Sequence, residues 1–139
     1  IYHHPATEFV HTFIGKTNQF YGIVEAINGS NLRVETEFNG TLDAHNQLRK
    51  FAIGEKVTLY VRPEHIQLSL STSGMDSQNG LIGNISMISF LGATTEYHIT
   101  VGTHQFIVQT QQPHSGFVEG VSVLCHWDPE DLLVLKREG

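Results

Sequence analysis

Four consecutive residues, Arg62-Pro63-Glu64-His65, bring a guanidinium, a carboxylate and an imidazole together around one proline. Such groups bind polar ligands and partner proteins through charge-assisted hydrogen bonds. Proline also ends a strand because it lacks a backbone N–H. Two interpretations therefore stay open: the segment is only a corner between two strands, or it is a corner at which Arg62, Glu64 or His65 also contacts a ligand or a partner.

Catalysis has little support in the sequence. No G-x-S-x-G nucleophile motif is present. Cys125 stands beside His126 in an apolar run, and neighbouring residues of a strand point to opposite faces, so the two side chains cannot form a nucleophile–base pair. Cys125 is instead predicted to be a small core residue, and we predict no catalytic residue in this chain.

The chain has nine histidines, but their spacing does not favour a metal site. His3 and His4 are adjacent and diverge, while His4 and His11 fall two turns apart on the predicted helix. Zinc sites typically use ligands that converge, such as two histidines four residues apart on a helix. We therefore predict no metal ligands.

The composition excludes several classes of protein. The chain has 139 residues, with 8 Lys and Arg against 14 Asp and Glu, a formal net charge of −6. Nucleic-acid-binding domains usually carry a basic face, so we expect no nucleic-acid partner. The single Cys excludes an internal disulfide and a four-thiolate zinc site. No apolar run approaches the roughly 20 residues that span a bilayer as a helix.

The first element is a predicted helix over Pro5–Ile14. Proline is tolerated in the first turn of a helix, and Gly15 stands where a left-handed C-terminal cap would fall. An apolar stripe follows helical spacing and must pack on another surface: Phe9, Val10, Phe13 and Ile14. The sequence leaves open whether that surface belongs to this chain.

After Gly15 the apolar residues alternate with polar ones, which predicts short strands separated by turns and hence an all-β barrel or sandwich. The predicted strands cover 21–27, 32–38, 56–61, 66–70, 81–90, 94–101, 121–127 and 132–135, with a polar loop at 71–80. Gly102-Thr103 predicts a two-residue hairpin turn. The predicted register pairs Val101 with His104, Ile99 with Phe106 and Tyr97 with Val108, and it turns His98 to the other face.

The sequence also contains an internal repeat. The segment from Gly54 through Pro63-Glu64 to Leu68 realigns with the segment from Gly120 through Pro129-Glu130 to Val134 at one fixed offset. Self-similarity at a fixed offset indicates two copies of one supersecondary unit. In each copy a glycine opens a strand and Pro-Glu forms a corner, and corners of this kind allow small barrels to change sheets.

Several motifs resemble ATPase subunits of ABC importers. Residues 2–15, which contain YHHPATEFV and Phe13-Ile14-Gly15, resemble the pattern Y-x-x-P-A-x-x-F-V-A-x-F-I-G that ends their nucleotide-binding domain. Residues 62–65 resemble the R-P-E-H/D of the C-terminal TOBE region (transport-associated OB fold). Residues 90–97 resemble its F-L-G-x-x-x-x-Y strand pair, and residues 129–131 its closing element. His11 replaces the usual Ala.

The resemblance implies an all-β fold of two OB-like small barrels, or a β-sandwich, built from a duplicated unit and preceded by one short N-terminal helix. It assigns residues 1–15 to the terminal helix of the nucleotide-binding domain. It assigns residues 16–139 to the TOBE regulatory domain, with pseudo-repeats at about 20–72 and 80–139. The chain begins with Ile1 and not with Met, which fits a fragment of a longer protein.

The resemblance also implies a function, which is regulation and dimerisation of an importer ATPase for a polyamine, ferric iron or a sugar. The implied partners are a second copy, the nucleotide-binding domain of the same chain and membrane permease subunits, on the cytoplasmic face of the cell membrane. The phosphate-loop and L-S-G-G-Q motifs are missing from the sequence. ATP and Mg would therefore belong to a motor domain outside it, and no cofactor is expected here.

The alternative is a stand-alone OB-like sensor of a small ligand such as an oxyanion. Relatives of the molybdate type bind oxyanions through backbone N–H groups and Ser or Thr side chains. Residues 69–74, Ser-Leu-Ser-Thr-Ser-Gly, offer such donors, but the same string is also typical of a mobile loop. A sensor would gain thermal stability with its ligand, whereas a scaffold would not.

Overall fold

The computed structural model describes residues 17–45, 50–70, 80–111 and 114–137. The helix predicted over Pro5–Ile14 lies outside the described residues, as does most of the polar loop predicted at 71–80. The regular structure of the described residues consists of strands and two 3-10 turns, which confirms the all-β prediction. No helix among them is long and apolar enough to cross a membrane.

The described residues form ten strands, most of them within two residues of their predicted bounds. They are β1 (Asn18–Asn28), β2 (Asn31–Thr36), β3 (Thr41–His45), β4 (Lys56–Val61), β5 (Gln67–Leu70), β6 (Gly80–Phe90), β7 (Thr95–Val101), β8 (His104–Thr110), β9 (Ser122–His126) and β10 (Leu133–Lys136). They make two antiparallel five-stranded sheets, in the orders β10-β4-β1-β2-β3 and β5-β9-β6-β7-β8.

Each sheet ends in a strand that comes from the other half of the chain. β5 follows β4 in sequence but pairs with β9, and β10 follows β9 but pairs with β4. The 3-10 turns Pro63–His65 and Pro129–Asp131 carry the chain from one sheet to the other. The prediction that the Pro-Glu corners change sheets is therefore confirmed. Proline has no N–H to give to the ladder, so strand pairing ends at each corner.

The glycines that open the two repeated segments have the same backbone geometry. Gly54 and Gly120 both have φ of 89°, a left-handed conformation that an L side chain would strain. The N–H of Gly54 donates to the Val24 carbonyl at 2.8 Å, and the N–H of Gly120 donates to the Ile85 carbonyl at 2.7 Å. β1 and β6 are both bulged next to these carbonyls. The same hydrogen-bonded turn thus opens the fourth strand of each copy.

One apolar core contains side chains from both sheets. The ring of Phe20 in β1 lies 5.4 Å from the ring of Phe106 in β8 and 6.2 Å from that of Trp127, which follows β9. Apolar and polar residues alternate along strands such as β1, β2 and β7, so each sheet turns one face to this core. The shared core holds the two sheets together as one body.

The second predicted strand ends two residues early, at Thr36. The Thr36 hydroxyl donates to the Gly40 carbonyl at 2.9 Å and accepts from the Phe38 N–H at 3.2 Å. These local hydrogen bonds take the place of further pairing between strands. Asn39 takes a left-handed φ of 66°, which asparagine tolerates better than most residues. The predicted register of the β7–β8 hairpin is confirmed. Val101 pairs with His104, Ile99 with Phe106 and Tyr97 with Val108.

Candidate functional site

A pocket of about 530 Å³ lies beside the first corner, where the start of β1 meets β7 and β8. It therefore sits at a junction between the two sheets. Its described lining is mainly polar and consists of Thr17, Asn18, Arg62, Pro63, Glu64, Glu96, Ile107 and Gln109. Arg62 and Glu64, two of the three residues singled out from the sequence, are among them.

The corner holds Arg62 and Glu64 in an ion pair. The Arg62 Nε lies 2.9 Å from the Glu64 Oε2. Burial alone would raise the pKa of Glu64, but hydrogen bonds from its own backbone N–H and from Arg62, together with the charges of Arg62 and His65, lower this pKa overall. Glu64 is therefore a carboxylate at neutral pH.

Asn18 ties the two sheets together at the edge of the pocket. Its Nδ2 donates to the Ile107 carbonyl at 2.9 Å and to the Val61 carbonyl at 3.3 Å. Its Oδ1 accepts the Ile107 N–H at 2.8 Å. Buried amide groups need such partners, and this one finds them on a strand of each sheet. The geometry of the pocket wall therefore depends on Asn18.

His65 does not join the other two predicted residues in the pocket. Its Nδ1 lies 3.7 Å from the Asp131 Oδ1, so the ring faces the second corner. The structure thus divides the predicted trio, with Arg62 and Glu64 lining the pocket and His65 between the corners. This contact links equivalent positions of the two repeats, Pro63–His65 and Pro129–Asp131.

Four polar residues of the pocket lining were not predicted from the sequence as site residues: Thr17, Asn18, Glu96 and Gln109. The Gln109 Nε2 donates to the Glu96 Oε2 at 3.2 Å, and the Glu96 Oε1 lies 3.4 Å from the His98 Nε2. The predicted register ended at the Tyr97–Val108 pair and left Gln109 in a loop, whereas the structure continues the hairpin by one more pair, Glu96 with Gln109. No motif or spacing in the sequence indicated Asn18 as a site residue.

The chemistry of the pocket is that of binding. Its described side chains offer two carboxylates, a guanidinium and amides, and the Thr17 hydroxyl is directed to the Asn18 carbonyl at 3.4 Å. Cys125 lies in the core, as predicted, and burial raises the pKa of its thiol to about 12, so the reactive thiolate is not formed at neutral pH. Among the described residues, no three His, Cys, Asp or Glu lie close enough together to hold a metal ion.

The Ser-rich string considered for an oxyanion begins at Ser69 in β5. The Ser69 hydroxyl lies 2.8 Å from the His126 Nε2 in β9, so it is already engaged in a cross-strand contact. Residues 71–74 of the string lie outside the described residues.

The comparisons with known proteins agree with the resemblance drawn from the motifs. The pattern of the TOBE domain family matches residues 59–135. A spermidine/putrescine import ATP-binding protein of Ruegeria pomeroyi is 34% identical over 140 residues, which is 98% of this chain and 36% of that protein. An Fe(3+) ions import ATP-binding protein of Fusobacterium nucleatum is 30% identical over 141 residues, which is 100% of this chain and 35% of that protein.

The chain thus spans little more than a third of the length of these curated relatives. Among solved structures, the cytoplasmic molybdate-binding protein ModG, in a form with molybdate bound, superposes with a TM-score of 0.72. The match covers 86% of this chain and 96% of that one at 19% sequence identity. At that identity the likeness concerns the fold, which is again an OB-like β architecture.

Proposed function

The chain belongs to the TOBE domain family, and we propose that it is the regulatory and dimerisation domain of the ATP-binding subunit of an ABC importer. The observation that carries this proposal is the match to import ATP-binding proteins, several of which align along 97–100% of the chain. Those relatives are named for spermidine/putrescine or Fe(3+) import. The proposed cargo is therefore a small solute of the polyamine, ferric iron or sugar class.

In this proposal the chain carries no catalysis of its own. Residues 1–15 end the nucleotide-binding domain and residues 16–139 form the regulatory domain, with pseudo-repeats at about 20–72 and 80–139. ATP and Mg act in the motor domain. The partners are that motor domain, a second copy of the regulatory domain and membrane permease subunits. The assembly is cytoplasmic and peripheral on the inner face of the cell membrane.

The architecture supports a role as a fixed platform. Two sheets exchange their last strands and share one core, so neither sheet is completed by its own half of the chain. A body built in this way resists relative motion of its halves, since motion would break strand pairing as well as apolar contacts. Such rigidity suits a domain against which ATP-driven closure of a motor works.

The coding sequence that precedes Ile1 provides the first test. We expect it to encode a G-x-x-x-x-G-K-[ST] phosphate loop and an L-S-G-G-Q motif about one domain earlier. A start codon directly before Ile1, with no motor upstream, would refute the importer assignment and leave a free-standing β domain.

Dimerisation has a separate test. Sedimentation velocity of the 139-residue chain is expected to give a concentration-dependent shift from monomer to dimer, because the proposed domain packs against its copy. A single monomeric species up to high micromolar concentration would refute the dimerisation part and leave the importer assignment intact.

The polar pocket favours a second candidate function, which is sensing of a small ligand. Arg62 and Glu64 would contact that ligand from the corner and Glu96 from β7, while His65 would act between the two corners. Among the described lining residues, the carboxylates of Glu64 and Glu96 outnumber the single guanidinium. The Coulomb balance therefore favours an amine-bearing ligand over an oxyanion.

Thermal unfolding with putrescine, spermidine and molybdate tests this candidate. A ligand that binds only the native state stabilises it by RT ln(1 + [L]/Kd), about 2.7 kcal/mol at one hundred times Kd. We expect a rise in Tm with the amines that Glu96→Gln abolishes. A rise with molybdate alone would favour the oxyanion sensor, and no rise with any of the three would leave the scaffold role without a ligand.

A further inference from the structure

The outer face of the first sheet carries a second apolar cluster. Tyr60, Leu133 and Leu135 form it, and they are only 6%, 9% and 6% exposed. Their neighbours Leu59 and Val134 belong to the main core. Since successive residues of a strand point to opposite faces, this outer cluster faces away from that core.

Burial this deep requires a covering layer. Tyr21 and Ile23 of β1 lie on the same outer face and are 38% and 43% exposed. Ile23 shows how much of a large apolar side chain remains accessible where this face is open, and even Tyr21, which Arg137 partly covers, stays far more exposed than the outer cluster. Arg137 lies over the Tyr21 ring at 4.4 Å, toward the far end of β4 from Tyr60. The outer cluster is therefore covered by another segment.

The path of the chain indicates which segment this is. β1 begins at Asn18 opposite Val61, and its next residue, Gln19, pairs with Tyr60. Tyr60 pairs in turn with Leu133 on β10. Thr17, the first described residue, thus lies at the Tyr60 end of the outer face. The described part of the chain therefore begins beside the outer cluster.

The preceding segment has the matching chemistry. Phe9, Val10, Phe13 and Ile14 follow helical spacing over Pro5–Ile14. A helix of that length extends about 15 Å, and Gly15-Lys16 is a short link to Thr17. The last turn of the stripe would consequently lie within reach of Tyr60. An amphipathic helix gains most of its stability by packing its apolar face, and the outer cluster offers such a surface.

We propose that residues 5–14 form a helix whose apolar stripe packs on the outer cluster of the same chain. The packing itself does not depend on the proposed function. Within the proposed importer it would join the motor to the regulatory domain through a packed helix and not through a free tether.

Thiol labelling of the full chain tests this packing. Cys125 is fully buried, so the labelling rate of the folded protein measures the accessibility of the introduced cysteine alone. Leu135→Cys is expected to react at least about tenfold more slowly than Ile23→Cys, the matched control on the open part of the same face. Adding Phe9→Ser and Phe13→Ser should bring Leu135→Cys to within about threefold of that control, while Cys125 stays unlabelled and shows that the fold persists.

Three outcomes would overturn the proposal. Leu135→Cys could react as fast as Ile23→Cys in the intact chain, or it could stay protected after the stripe is broken. Its protection could also grow with protein concentration, which would assign the covering to a second copy. Each of these results would exclude the apolar stripe of residues 5–14 in the same chain as the segment that covers the outer cluster.

A second measurement needs no cysteine variant. Burial raises the pKa of the Tyr60 hydroxyl, and the nearby Tyr21 raises it further. A hydrogen bond with Thr58 lowers this pKa, but the overall shift is upward. Ultraviolet titration, with Tyr60→Phe to identify the signal, should show this pKa falling toward its ordinary value in the Phe9→Ser, Phe13→Ser protein. An unchanged pKa would contradict the packing.

Discussion

Asn18→Ala should loosen the junction between the two sheets. The substitution removes the acceptor for the Ile107 N–H and the donor for the carbonyls of Ile107 and Val61. These backbone groups lie where β1, β4 and β8 meet. Water entering from the adjoining pocket could then satisfy them in part.

The size of the effect follows from the groups left without a partner. A buried donor or acceptor that loses its hydrogen bond costs about 1–3 kcal/mol. Ile107 is half-buried, so water recovers part of that cost. We expect Asn18→Ala to lower the free energy of unfolding by about 2–3 kcal/mol, which is roughly a 30- to 150-fold loss in the folding equilibrium constant.

Urea unfolding followed by far-ultraviolet circular dichroism measures this change. Asn84→Ala is the matched control, because Asn84 is an exposed asparagine inside a strand, and surface substitutions usually stay within about 0.5 kcal/mol. If Asn18→Ala is no more destabilising than this control, the three hydrogen bonds contribute nothing net and the account of the junction is wrong.

Three further predictions concern other parts of the fold. Gly83→Ala should lower the free energy of unfolding by about 1–3 kcal/mol, because its Cβ would lie 2.6 Å from a carbonyl oxygen of β7. Gly40→Ala, whose Cβ meets nothing within 4 Å, should change it little, and equal losses in urea unfolding would contradict this difference. Cys125, whose pKa burial raises to about 12, should resist a thiol reagent in the native protein and react only in urea; rapid native labelling would refute its burial. Arg62→Ala should raise the lowered pKa of Glu64, measured by NMR titration, and an unchanged value would refute the ion pair as a cause. Because the pKa of Glu64 is lower in the folded state, its ionisation stabilises the protein at pH values above the unfolded pKa, and this stability is lost as the pH falls through the folded pKa. The Arg62→Ala protein should therefore lose less stability in this acidic range.

Local patterns predicted much of the fold. The hairpin at Gly102 was predictable because its turn chemistry and the alternation on both sides specify one register. The corners at Pro63 and Pro129 were predictable because a missing N–H ends strand pairing wherever it occurs. Each of these signals lies within a few residues of the structure that it determines.

Local signals could not predict which strands β5 and β10 pair with. The sequence indicates that β5 leaves its sheet after the corner, but pairing with β9 depends on contacts far along the chain. The pocket depends on the same long-range arrangement, since Asn18 and Glu96 line one pocket only when β1 lies beside the β7–β8 hairpin. The composition of Arg62-Pro63-Glu64-His65 pointed to the corner, yet it could not show that His65 turns toward Asp131 instead of into the pocket.

The exchange of strands limits how any signal at the corner could act. β5 pairs into the sheet of the second half of the chain, and β10 pairs into the sheet of the first half. The His65–Asp131 contact also joins the two corners. A structural change at one corner therefore affects both halves. A ligand changes an equilibrium only by binding two states with different affinity, and a body with one shared core offers few alternative states within itself. A ligand in the pocket would therefore stabilise the whole domain instead of moving one half against the other. Regulation through such a domain would depend on which surfaces its partners occupy, while the fold beneath them stays unchanged.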